Sequence, residues 1–130
     1  MTITKTTERS GPFADFFCNG VQVGDHLHLS GVVSVDANGT VGEGDLTAQV
    51  AQCYANIEAT LANFGADLSN VVDETVFVTD VEDFMANLPA IAAAREAAYE
   101  TKPEVAQTLV EVGRLVDPSW LIEIKAVARL

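Results

Sequence analysis

The spacing of apolar residues changes at position 46, and this change constrains the fold more than any other feature. From there to residue 64, apolar residues recur at steps of three and four and form one helical stripe: Leu46, Val50, Cys53, Ile57, Leu61 and Phe64. Asp45 stands where an N-cap belongs and Gly65 where a C-cap belongs. The pattern predicts one long amphipathic helix between segments of strand character.

Strand-like segments come before this helix. Residues 17–34 are interpreted as two strands joined by the tight step at Gly24, which favours a hairpin. A second turn is predicted over residues 36–39, which end in an Asn-Gly pair. The glycine-rich segment 39–44 does not lead from a strand to a helix with phosphate-binding spacing. We interpret it as a flexible hairpin loop.

Strand and helix patterns alternate again after the long helix. Residues 71–79 have strand composition, and residues 84–100 are alanine-rich and helical. Pro89 falls inside the helical pattern, so we expect either a kink there or a helix that starts late, near Asn87.

Two further strands are predicted after Pro103, over residues 105–115 and 120–129. The order of elements is then ββαβαββ. This order predicts an α+β fold in one domain, residues 1–130, with a mixed sheet and both helices on one face.

Alternation in the last predicted strand separates two faces. The expected core face carries Trp120, Ile122, Ile124, Ala126 and Ala128. The opposite face mixes apolar and charged residues: Leu121, Glu123, Lys125, Val127 and Arg129. In the first hairpin, Leu27 and Leu29 have core parity, which leaves Ser30 on the helix-free face with Glu123. A half-apolar open face is usually covered by another subunit, so an oligomer is predicted.

Composition excludes several classes of protein. The 130 residues are 48% hydrophobic and 20% charged, which is typical of a globular domain that needs no disulfide or metal. The formal charge of −12 disfavours nucleic acid and anionic membranes as partners. No apolar run is long enough for a membrane span, and the first residues lack the apolar core of a signal peptide. We therefore expect a soluble, cytoplasmic protein.

Few residues indicate chemistry by their pattern alone. His26 and His28 alternate on a strand and could bind a metal or act as a base, but no third ligand stands at a recognisable spacing. The Ser30-Gly31 step would let a ligand approach the backbone, or it marks a bulge. Glu123, inside an apolar strand, could transfer protons or could be a satisfied interface carboxylate. Neither a metal site nor a cofactor is predicted.

Three stretches together resemble the RidA/YjgF family of reactive-intermediate deaminases, also called endoribonuclease L-PSP proteins. They are VGDHLHLSG over residues 23–31, DLSNVVDETVFVTD with EDF over 67–84, and LVEV with LIEIKA over 109–126. No single stretch is as specific as a metal signature, but their order and spacing agree with the family over nearly the whole chain.

The resemblance implies a chorismate-mutase-like homotrimer with a small-molecule cleft at each subunit interface. Members of the family hydrolyse enamines and imines to keto acids and ammonia without a cofactor. An arginine, a serine-glycine pair, an aromatic ring and a glutamate that activates water form that cleft.

The family's site residues correspond to six positions of this chain. The resemblance assigns the catalytic role to Glu123 and assigns substrate binding to the other five: Phe17, Ser30, Gly31, Gln107 and Thr108. Phe17 stands where the family has tyrosine, so the hydroxyl is lost. Gln107 stands where the family has arginine, so the charged fork that binds a substrate carboxylate is lost.

These departures leave two functions open. The leading hypothesis is a hydrolytic deaminase of an imine, an enamine or a related nitrogen metabolite, with altered specificity. The alternative is a metabolite-binding trimer without catalysis. A ribonuclease, suggested by the older family name, is disfavoured by the charge of −12.

Overall fold

The computed structural model describes residues 2–130. Its strands, in chain order, are β1 (Thr6–Glu8), β2 (Gly20–Val23), β3 (His26–Leu29), β4 (Val32–Val33), β5 (Val35–Asp36), β6 (Gly39–Thr40), β7 (Val71–Val78), β8 (Ala106–Glu111) and β9 (Ile122–Arg129). The helices are α1 (Leu46–Ala62), α2 (Val81–Ala86) and α3 (Leu88–Tyr99), and a 3-10 turn spans Leu68–Asn70.

The main sheet has the order β1-β2-β3-β9-β7-β8, and β4 pairs with β9 as a continuation of β3. Strands β7 and β8 run parallel, whereas the other pairs of this sheet are antiparallel. Strands β5 and β6 form a separate small hairpin. The predicted α+β class and mixed sheet are confirmed.

One face of the sheet packs under the helices. The core combines residues of α1 and α3 with alternate residues of β3, β7 and β9. Leu27, Leu29, Ile122 and Ile124 are all at most 1% exposed, which confirms the predicted core parity of both strands. No helix within residues 2–130 has the length and apolar character needed to cross a membrane.

Local turn and cap chemistry explains why the early elements form as predicted. Gly24 and Gly39 have φ values of +60° and +113°, which an L side chain rarely adopts, and each lies in a hairpin turn. The Asp45 side chain accepts a hydrogen bond from the Ala48 N–H at 3.1 Å and caps α1. The chain turns away in the left-handed conformation at Gly65, as predicted.

Several element boundaries differ from prediction; the strand predicted over residues 105–115, for example, is β8 and ends at Glu111. The first hairpin strand begins at Gly20, because residues 11–16 form turns and Phe17 lies outside the strand. The predicted helix over 84–100 is two helices, α2 and α3, which meet at Asn87. Pro89 lies in the first turn of α3, where a missing N–H costs nothing, so the late start is the correct alternative.

The predicted facing of Trp120 and Leu121 is wrong. Leu121 packs against the core, while Trp120 is buried edge-on against Phe13 with ring centroids 6.4 Å apart. Regular alternation starts only at Ile122, because a turn precedes it in which the Trp120 N–H donates to the Asp117 carbonyl. Val127 lies on the helix-free face as predicted, and Phe77 and Val110 are further apolar residues that share this face with Glu123 by register and alternation.

Candidate functional site

A pocket of about 340 Å³ opens on the helix-free side of the sheet, at the start of β9. Its lining residues are Phe13, Phe17, Ser30, Gly31, Val33, Val116, Trp120 and Glu123. The fold thus brings four of the six positions assigned by the resemblance into one pocket: Phe17, Ser30, Gly31 and Glu123. Their roles in binding and catalysis remain predictions.

Glu123 supplies the only acidic group of this pocket's lining. It lies on β9 opposite Val33 of β4, and within residues 2–130 its carboxylate makes no hydrogen bond or ion pair with a side chain or the backbone. Burial raises the pKa of the Glu123 carboxyl above 4.5, and the nearby Lys125 charge opposes this shift. A half-buried carboxylate without protein partners can accept a proton from a bound water.

Gly31 makes room for that carboxylate. A Cβ at this position would lie 2.8 Å from Glu123 Cδ, closer than real Cβ contacts allow. The preceding residue is fixed as well: the Ser30 hydroxyl donates to the Cys18 carbonyl at 2.6 Å, and the Ser30 N–H donates to the Asn19 carbonyl at 3.0 Å. With its proton engaged, the Ser30 oxygen is left to accept a hydrogen bond from a ligand.

Aromatic rings form the wall opposite Glu123. Phe13 and Phe17 stack with centroids 5.8 Å apart, and Trp120 meets Phe13 at a steep angle. Phe17 is 40% exposed, and Val116, at the rim, is 79% exposed. A second cavity of about 420 Å³ lies on the other side of the phenylalanine pair, toward α1. Part of the apolar wall of the pocket is therefore exposed in a single chain.

A buried glutamine on α1 holds the wall that carries Trp120. The Gln49 amide donates to the Ser119 carbonyl at 2.9 Å and to the Gly42 carbonyl at 3.2 Å, and it accepts from the Leu121 N–H at 2.9 Å. These bonds fix the residues on both sides of Trp120. Sequence reasoning missed this positioning role, although a glutamine within a helix otherwise apolar on that side was a visible signal.

Gln107 lies elsewhere in the chain. It is on the edge strand β8 and faces the helices, where its amide Nε2 donates to Glu74 Oε1 at 3.0 Å. Thr108 necessarily faces the other way, beside Thr75 and Lys125 on the helix-free face. Neither residue lines the pocket of its own chain, so the predicted contacts of Gln107 and Thr108 with substrate would require a neighbouring copy.

Glu74 is the centre of a buried polar cluster that the sequence analysis did not anticipate. Its side chain is fully buried and accepts hydrogen bonds from Tyr54, Arg95, Tyr99 and Gln107 at 2.6–3.1 Å. Burial and then the Glu74 charge raise the pKa of Tyr54. For Tyr99, burial and then its hydrogen bond to Glu74 raise the pKa. Core parity with Val76 and Val78 was the available signal.

The other candidates from the sequence do not form a site. His26 and His28 are exposed with rings stacked 6.4 Å apart, and within residues 2–130 no three His, Cys, Asp or Glu side chains are grouped as a metal site. Cys53 is in the core, where burial raises the pKa of its thiol to about 12. It is therefore unsuited to act as a nucleophile.

Comparison with known proteins identifies relatives over almost the full length. The family model described as Endoribonuclease L-PSP matches residues 7–130. A RutC family protein of Pyrococcus abyssi is 33% identical over 125 residues, 95% of this chain and 91% of that protein. The 2-iminobutanoate/2-iminopropanoate deaminase of Escherichia coli K12 is 30% identical over 131 residues, 98% of each chain. The deaminase of the same name from Salmonella typhimurium is 33% identical over 132 residues, again 98% of each chain.

Solved structures agree with this assignment. A member of the YjgF/YER057c/UK114 family from Mycobacterium tuberculosis superposes with a TM-score of 0.79 at 26% identity, covering 98% of this chain and all of that one. RidA from the Antarctic bacterium Psychrobacter sp. has a TM-score of 0.77 at 22% identity, covering 100% and 99% of the two chains, and this second likeness concerns the fold alone.

Proposed function

Because this chain belongs to the endoribonuclease L-PSP (RidA/YjgF) family, we propose that its pocket at Glu123 hydrolyses an imine or enamine of a small nitrogen metabolite to a carbonyl compound and ammonia. The observation that carries this proposal is the Glu123 carboxylate itself: half-buried, free of protein partners, and placed against the backbone at Gly31.

In the proposed reaction, the carboxylate of Glu123 takes a proton from water while the water oxygen bonds to the imine carbon. The electron pair of the C=N bond moves to nitrogen, Glu123 passes the proton from water to that nitrogen, and a carbinolamine results. Glu123 then takes the proton of the carbinolamine hydroxyl and gives it to the amine, the C–N bond breaks, and ammonia leaves as the carbonyl forms. The reaction consumes one water and needs no redox partner.

We further propose that three copies of the chain assemble with their helix-free faces inward. In one chain, the pocket rim is open at Val116, and Val110 is 40% exposed on the same face. Covering these side chains would remove apolar area from water, at about 25 cal/mol per Å². It would also bring Thr108 of one copy toward the pocket of another, as the family resemblance requires.

The proposed activity is tested by hydrolysis of 2-iminobutanoate, formed in the assay by oxidation of 2-aminobutanoate. Semicarbazide traps the imine, so an enzyme that hydrolyses it lowers the yield of the semicarbazone. We expect acceleration above the spontaneous rate, but at least about tenfold slower than with the Escherichia coli deaminase, because Gln107 cannot provide a charge-assisted fork. Acceleration that survives in the Glu123→Gln variant, or none at all, would contradict the proposal.

Binding without catalysis is the competing function. It is favoured by Gln107 and Phe17, which stand where the family has arginine and tyrosine. Calorimetry with 2-oxobutanoate, the product of 2-iminobutanoate hydrolysis, separates the two. A binder would take up this probe and show no Glu123-dependent turnover of the imine.

A further inference from the structure

The few cations of this acidic chain are placed unevenly. Seven Lys and Arg accompany nineteen Asp and Glu. Among residues 2–130, the arginine side chains in ion pairs are Arg95, with Glu74, and Arg129, with Asp25. Three other cations donate to backbone carbonyls instead: Arg9 to Ala14, Arg114 to Leu115 and Val116, and Lys125 to Leu29. These carbonyls belong to residues in or next to the pocket wall.

Lys125 is the cation that lies nearest to Glu123 along strand β9. It lies two residues after Glu123 on the same face of β9, and its Nζ donates to the Leu29 carbonyl, next to Ser30, at 2.9 Å. An ammonium has three donors, so two remain after this bond. No carboxylate lies within 4 Å of Nζ among the described residues, and the Lys125 charge acts on Glu123 only from beyond that distance.

The neighbours of Lys125 across the sheet are hydroxyls. Thr75 of β7 pairs with Lys125, and Thr108 of β8 pairs with Thr75, so the three form a polar row on the helix-free face. The adjacent row, Glu123, Phe77 and Val110, has one carboxylate and two apolar residues. An ammonium beside hydroxyl donors is suited to an anion, because its charge locally offsets the repulsion that a chain of charge −12 exerts on an anion.

Gln107 cannot supply the same contact. One N–H of its Nε2 donates to Glu74, which leaves the second N–H and the amide oxygen. Neither of these carries a charge, and the side chain faces the helices, on the other side of the sheet from Lys125. The position that carries the family's arginine therefore provides no charge-assisted contact to an anion in this chain.

We propose that Lys125, a residue that the family resemblance does not assign, binds the anionic group of the ligand of this pocket, with Thr75 as a neighbouring hydroxyl donor. The inference rests on the proposed function for the identity of the pocket. It specifies the substrate as a small imine whose carboxylate points along β9 toward Lys125, while its imine carbon lies against Glu123. The substrate class of the family is thus retained, but the carboxylate of the substrate is bound by a residue of the central strand β9.

Two stable probes of matched shape test this assignment: 2-oxobutanoate, which has a carboxylate, and 2-oxobutanamide, which has a neutral amide. Titration calorimetry at low salt measures both. We expect the wild-type protein to bind 2-oxobutanoate about tenfold or more tightly, since a charge-assisted hydrogen bond outweighs a neutral one. Lys125→Met should abolish this preference by weakening 2-oxobutanoate about tenfold while changing 2-oxobutanamide less than about twofold. Lys125→Arg should retain the preference.

Lys102→Met is the matched control, because Lys102 is exposed in the turn after α3 and should leave both affinities unchanged. Equal affinity of the wild type for the two probes, or binding of neither, overturns the proposal without any variant. Equal weakening of both probes in Lys125→Met also overturns it, because that is the effect of a merely structural residue. If the carboxylate preference depends on Lys125 but the imine is not hydrolysed, the proposed activity fails and the anion site stands.

Discussion

Replacing Glu123 by glutamine is expected to slow imine hydrolysis by about a hundredfold or more, with ligand affinity and assembly largely retained. Glutamine preserves the shape of the side chain and its capacity to hydrogen-bond but cannot take a proton from water. The measurement is kcat/KM for 2-iminobutanoate, with Glu58→Gln on the exposed side of α1 as the matched control. A Glu123→Gln variant with wild-type kcat/KM would remove Glu123 from the reaction.

The pH dependence of activity is a second test of the role of the Glu123 carboxylate. Since burial raises the pKa of Glu123, the ionised base forms at a higher pH than for an exposed glutamate, and activity should fall as pH drops through that raised value. The sign for stability is opposite: a carboxyl with a raised folded pKa favours the folded state below its unfolded pKa, and this contribution is lost as pH rises. At neutral pH, Glu123→Gln should therefore be no less stable than the wild type.

The Gly31→Ala variant tests the role of Glu123 by displacing its carboxylate without removing it. The methyl group of Gly31→Ala would press on the Glu123 side chain, whose flexible end must move. Activity should fall about tenfold or more, because a displaced base costs catalytic orientation. Gly113→Ala is the matched control, since a Cβ there meets no atom within 4 Å.

Replacing Glu74 by leucine is expected to lower the free energy of unfolding by about 3–5 kcal/mol. The change removes the shared acceptor of four side chains and leaves Arg95, whose side chain is only 21% exposed, without its carboxylate. The buried Tyr54 hydroxyl also loses its acceptor. An uncompensated buried charge costs far more than the intact pair contributes.

Urea denaturation at one fixed protein concentration measures this effect, because stability and assembly are coupled in an oligomer. Glu58→Leu, an exposed acidic position on α1, is the control and should change stability by no more than about 0.5 kcal/mol. A Glu74→Leu protein as stable as Glu58→Leu would mean that the cluster does not join β7 and β8 to α1 and α3.

The elements that the sequence predicts are those determined by neighbouring residues. The Asp45 cap, the turn at Gly24 and the interruption near Pro89 each depend on the chemistry of a few adjacent positions. The strand alternation around Ile124 follows from burial of one face. These features need no knowledge of the remaining chain.

The incorrect and missed features depend on distant partners. Strand alternation cannot show that Gln49, seventy residues away, donates to the Ser119 carbonyl and accepts from the Leu121 N–H. The sequence therefore predicts the wrong face for Trp120 and Leu121. Gln107 corresponds to a substrate contact in the resemblance, but only the tertiary structure shows that one of its N–H groups donates to Glu74. Lys125 is visible as a charge on the open face, whereas its bond to the Leu29 carbonyl requires the register of β3 and β9.

A crystal structure of the protein with bound 2-oxobutanoate tests the central claim most directly. The account predicts a trimer in which each ligand lies between copies, its keto carbon against Glu123 beside Ser30 and Gly31, and its carboxylate on Lys125. A monomer, or a ligand bound among Glu74, Arg95 and Gln107 on the helix side with the Glu123 pocket unoccupied, would contradict it.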